Sequence, residues 1–111
     1  MSSLKIAIAF LLTALAAGAV MTEDNYDVKV IQINSKWNKQ NSLDIYTLER
    51  CQKMNANLED QPFSIQRNLP NVPVIIIYKG DDALATFGGN IMLEPTVSLE
   101  EIQEIVDKAQ Q

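Results

Sequence analysis

The segment that most restricts what this chain can fold into is Asn71–Phe87, "NVPVIIIYKGDDALATF". Val74 to Tyr78 is an unbroken apolar run, more than a strand with one wet face carries, so it reads as a strand buried on both sides. A Gly80-containing turn follows, then a second strand, which together make an antiparallel hairpin. Side chains alternate along a strand, so Val74, Ile76 and Tyr78 should face one way and Ile75 and Ile77 the other. Such a strand belongs at the centre of a sheet or beside it.

The remaining elements can be placed around that hairpin. "VKVIQIN" (28–34) is a β-branched, mostly apolar strand, and "SKWNKQNS" (35–42) is a polar loop. In "SLDIYTLERCQKM", Ile45, Leu48, Cys51 and Met54 recur every three residues. That stripe predicts a helix over 42–54 with Ser42 as N-cap. A short helix is predicted over 62–69, capped by Asp60 with Pro62 in its first turn. Gly88-Gly89 reads as backbone relief at a bend. The best-marked helix spans 98–109, where Ser98 and Glu101 form a capping box and Val97 can staple onto Ile102. Leu99, Ile102, Ile105, Val106 and Ala109 give it one apolar face. Strand, helix and strand in succession imply a parallel crossover, and the last helix must cover one sheet face.

The first twenty residues stand apart. One lysine, Lys5, precedes an uncharged stretch of 16 residues, 6–21, that closes on small residues in an A-x-A pattern. This is the form of a secretory signal peptide. A retained anchor is the competing reading, since a span needs about 20 apolar residues and this run is only slightly short. Residues 21–27 read as an acidic linker and 28–111 as the folded domain.

Charge and composition remove several functions. The net charge is −5, and −6 without Lys5, so no basic face is offered to nucleic acid. With no histidine and one cysteine, Cys-His and Ser-His catalysis and the usual zinc sites are excluded. No metal or other cofactor is expected. Asp81-Asp82 is turn chemistry, because two adjacent carboxylates supply too few calcium ligands. Cys51, on the predicted helix stripe, reads as a buried inert thiol. An exposed thiol that pairs with a partner is the alternative.

The order of elements, ending in "VPVIIIYKGDDALATFGG" and a capped amphipathic helix, resembles the thioredoxin-like family. The match is good over 71–109, weaker over 28–41, and only in outline over 42–70. The resemblance implies an α/β fold, a mixed sheet flanked by helices, with Val72-Pro73 as a cis peptide facing the site. Without it, a trans proline at a strand start is the ordinary reading. It also implies that Trp37 precedes the redox centre and that Asn38 and Asn41 stand where the family has its two cysteines. Asn41 would then begin the helix. The family's buried acid falls on Gln32. Asn38 and Asn41 are equally turn and cap residues of any loop.

An amide forms neither a thiolate nor a mixed disulfide, so the centre implied by the resemblance lacks thiol exchange. The expectation is a non-catalytic, exported domain that binds a protein or extended peptide or serves as a structural subunit of a larger assembly, a virion among them. The surface would comprise Trp37, Asn38, Asn41 and the backbone of Val72-Pro73, which in the family receives a peptide by strand-type hydrogen bonds. The alternatives are a single-cysteine thiol protein using Cys51, and an accessory subunit anchored in a membrane through 6–21.

Overall fold

The structure is a computed structural model and describes residues 26–110. The leader 1–20 and most of the linker 21–27 lie outside the described residues. Four strands are described: β1 (Val28–Asn34), β2 (Gln52–Asn57), β3 (Val74–Lys79) and β4 (Asp82–Phe87). Two α-helices accompany them, α1 (Phe63–Asn68) and α2 (Leu99–Ala109). The sheet order is β2-β1-β3-β4. β1 pairs parallel with β2 and antiparallel with β3, and β3 pairs antiparallel with β4. The fold is mixed α/β with helices flanking the sheet. β3 is an inner strand, as its apolar run requires.

Alternation divides the core in two. Val74, Ile76 and Tyr78 pack with Ile31, Ile33, Met54, Ile65 and Val72 on one face. Ile75 and Ile77 join Val28, Val30, Ile45, Leu48, Cys51, Val97, Ile102 and Val106 on the other. Each isoleucine removed from water contributes about 1.5–3 kcal/mol, so the apolar strand is a main source of stability on both faces. Gly80 begins the β3–β4 turn at φ 61°, a conformation that favours glycine. α2 starts with the expected capping box. The Ser98 hydroxyl accepts from the Glu101 N–H at 3.1 Å, and the Glu101 carboxylate accepts from the Ser98 N–H at 3.0 Å. Val97 and Ile102 are buried in one cluster.

The region 42–57 differs from expectation. No helix spans 42–54; a 3-10 turn at Ile45–Thr47 leads to β2. A three-residue repeat suits a 3-10 helix as well as an α-helix, and extended chain can complete the same stripe. Ile45, Leu48 and Cys51 are buried together, but Met54 points to the opposite face because it lies inside a strand. β2 has the sequence "QKMNAN", with no β-branched residue, which hid it from pattern reading. Ser42 is the C-cap of a 3-10 helix, its N–H donating to Lys39 O at 3.0 Å, and is not the N-cap of a following helix. Asp60 belongs to a 3-10 turn and pairs with Lys36 at 3.5 Å, leaving Pro62 as the N-cap residue of α1.

Residues 49–50 are tied to α2. Glu49 and Gln103 exchange hydrogen bonds of 2.8 and 2.9 Å, and Arg50 donates to Asp107 at 3.0 and 3.1 Å. The Gln103 amide, then the Arg50 guanidinium, holds the Asp107 carboxyl below the usual carboxylate range.

Two substitutions test the packing. The Tyr78 hydroxyl is buried without a partner among the described residues, and burial pushes its pKa up. An unpaired buried hydroxyl costs about 1–3 kcal/mol, so Tyr78→Phe should raise stability by about 1 kcal/mol in urea unfolding. A loss would show that the hydroxyl is satisfied. A Cβ at Gly89 would overlap the Val72 carbonyl and reach 3.0 Å from the Pro73 nitrogen. Gly89→Ala should therefore destabilise by about 1–3 kcal/mol in the same assay.

Candidate functional site

β1 and β3 converge at one end of the sheet. Ile33 pairs with Val74, so one step further Asn34 stands opposite Pro73. The chain leaving β1 therefore enters the loop of Trp37 at the end where β3 begins. The carboxyl end of β2 lies there too, because Asn34 pairs with Asn57. Gly88-Gly89, leaving β4, closes against the same backbone, where the Gly89 N–H donates to Asn71 O at 2.6 Å. The Val72-Pro73 peptide is cis, as the family pattern implies. Val72 and Pro73 are buried, and Trp37, expected beside Pro73, occupies the same end of the sheet.

Asn34 organises the loop. Its side chain is buried at 6 % exposure. Nδ2 donates to Asn38 O at 2.9 Å and to Ser42 Oγ at 2.8 Å, while Oδ1 accepts from the Ser35 N–H and from Asn38 Nδ2 at 2.9 and 3.0 Å. Around this anchor Lys36–Asn41 winds as a short 3-10 helix. The helix is kinked at Asn38, whose φ is −111° and ψ 17°, and the contact between Asn38 and Asn41 is made by their side chains. Asn41 Nδ2 donates to Asn38 Oδ1 at 2.8 Å, and both amides donate to Leu93 O, at 2.9 Å from Asn38 and 3.1 Å from Asn41. Asn38 and Asn41 thus stitch the 35–42 loop to the segment after Gly89. Asn41 ends a 3-10 helix and begins no α-helix, so no helix N-terminus offers its positive end to this position.

The segment so held is itself tightly folded. Asn90 Oδ1 accepts from the Met92 and Glu94 N–H groups at 2.8 and 3.0 Å, and the Asn90 N–H donates to Glu94 O at 3.0 Å. Leu93 sits at φ 61°. The result presents Ile91 at 91 % and Met92 at 70 % exposure beside a loop that presents Trp37 at 64 %. Phe63, also exposed, follows the turn whose Glu59 carboxylate accepts from the Lys36 N–H at 3.1 Å. Neither Asn34 nor Ile91-Met92 stands out by spacing alone. The sign of the latter is Asn90, a turn former directly after two glycines and before three exposed or half-exposed apolar residues.

Gln32, at the position of the family's acid, is buried and fully engaged. Nε2 donates to Leu43 O and Asn55 Oδ1, and Oε1 accepts from the Leu43 N–H, each at 2.8 Å. Cys51 is buried at the other end of β2, away from Trp37. No group of three or more metal-binding side chains occurs among the described residues, and no described helix is long and apolar enough to cross a membrane. No protein-family model matches the chain, and no curated protein matches it in sequence.

The Asn38–Asn41 pair can be tested directly. Their side chains already meet, with Asn41 Nδ2 donating to Asn38 Oδ1 at 2.8 Å, which brings the two positions within reach of a disulfide. Replacing both by cysteine should give an intramolecular disulfide in air, read as a mass loss of about two hydrogens. Persistence of all three free thiols, the two introduced and Cys51, would show that this loop does not hold the geometry of a cysteine pair.

Proposed function

We propose that this chain is a non-catalytic, exported member of the thioredoxin-like family that binds a protein or extended peptide, alone or as a subunit of a larger assembly. The observation that carries the reading is the use made of Asn38 and Asn41. Both amides are consumed in fixing Leu93, and this orders a surface of Trp37, Ile91 and Met92. Support for the family comes from the β2-β1-β3-β4 order, with a parallel first pair and a closing hairpin, and from Val72-Pro73 at the head of β3. The export component rests on residues 1–20 of the sequence.

The chemistry argues for docking over turnover. Thiol exchange needs two thiols within reach, and the chain has one, enclosed in the core. Large exposed apolar side chains carried on a hydrogen-bonded backbone are what protein recognition uses. An extended peptide passing over Trp37 would meet the Ile91-Met92 loop on its way to the backbone beside Asn71, which is exposed.

Trp37 is the one tryptophan in the chain, so its fluorescence reports on this surface alone. Peptides selected from a random displayed library against the purified protein should shift that emission saturably. Trp37→Ala and Met92→Ala should each weaken the selected peptides tenfold or more, while Leu84→Ala on β4 leaves affinity unchanged. Peptides that bind the Trp37→Ala variant undiminished would refute the proposed surface.

A further inference from the structure

The side of the 35–42 loop turned away from Leu93 has its own feature. A recess of about 190 Å³ opens where the carboxyl ends of β1 and β2 lie side by side, on ground that the expected 42–54 helix does not occupy. Its lining includes Ser35, Lys39 and Ser42 from the loop and Asn55, Ala56 and Asn57 from β2. The loop divides its residues, since Asn38 and Asn41 bond to Leu93 O while Lys39 and Ser42 line the recess. The ends of parallel strands are where open α/β sheets hold ligands.

We propose that this recess binds a small organic carboxylate. In a chain with 14 acidic residues against 9 basic ones, no carboxylate lines it, and its one ionisable lining group is the Lys39 ammonium. Lys39 forms no ion pair among the described residues. Ser35 is 3 % exposed, and its hydroxyl has no partner among those residues. Tyr78 Oη is the sole unpartnered side-chain polar atom sealed from solvent among them, so the Ser35 hydroxyl keeps some access to solvent, and Ser35 lines the recess. Ser42 Oγ accepts from Asn34, which leaves its proton free to donate. Asn55 uses its oxygen for Gln32 and keeps its Nδ2 hydrogens. The nearby Asp60 is engaged with Asn57 and Lys36. A cation, two hydroxyl donors and an amide donor suit a carboxylate head. This inference does not depend on the docking surface above.

The carboxylate has two sources, a free short-chain acid or the C-terminus of a peptide, and the test separates them. The ¹⁵N-labelled full chain is titrated with butyrate, with butyramide, and with an N-acetylated dipeptide carrying a free or an amidated C-terminus. Butyrate should shift the amide signals of residues 35, 39, 42 and 55–57 saturably, with a dissociation constant of about 1 mM. Butyramide should leave them in place. Ser35→Ala and the exposed Lys39→Gln, which leaves the core untouched, should each weaken binding fivefold or more. Tighter binding of the free-acid dipeptide than of butyrate assigns the site to a peptide C-terminus, and weaker binding assigns it to a free acid. Non-saturating shifts, equal shifts with butyramide, or undiminished binding by Lys39→Gln would overturn the proposal.

Discussion

The buried amide of Asn34 is the interaction on which the working end of this molecule depends. A primary amide has two hydrogens to donate and a carbonyl oxygen that accepts two, and at Asn34 all four are used within the protein. Leaving one unmade in the interior costs about 1–3 kcal/mol, so the chain after β1 must pass where Ser35, Asn38 and Ser42 can meet it. That path winds as a short, kinked 3-10 segment in which Asn38 and Asn41 bond to each other and both reach Leu93. The positions of Trp37, Ile91 and Met92 follow from there. The two-sided core supports the sheet below, while polar bonds shape its end.

What was legible in the sequence was what periodicity and covalent geometry encode. Val74–Tyr78 had to lie between covering layers because nothing in it tolerates water, and Ser98 with Glu101 fixed the start of α2 through local backbone bonds. The β2 region was not legible. Its strand is polar and owes its existence to pairing with β1, a non-local contact that no window of sequence contains. Arg50 at φ 61° bends the chain just before β2, where a glycine or asparagine would have marked the turn. Of the candidate site, Trp37, Asn38 and Asn41 were nameable from their order after β1. Their partner was not, because a carbonyl 52 and 55 residues away leaves no side-chain signature.

Gln32 and the asparagine pair share one logic. Each stands where the family resemblance implies an ionisable or reactive group, and each is an amide whose bonds are spent on neighbouring backbone or on another amide. An amide keeps the hydrogen-bonding reach of an acid without a charge to desolvate, so it can be buried more cheaply at the end of a strand. In this chain the three amides serve as joints between segments.

A pair of thiols has two shapes, closed when oxidised and open when reduced, and the loop around them moves with the potential of its surroundings. The joint made by Asn34, Asn38, Asn41 and Ser42 has neither an electron to give nor a proton to exchange within the range where proteins stay folded. Its geometry is the same in an oxidising exterior and a reducing interior, and the same on either side of neutrality. The exposure of Trp37, Ile91 and Met92 beside it is therefore independent of the redox state of the surroundings.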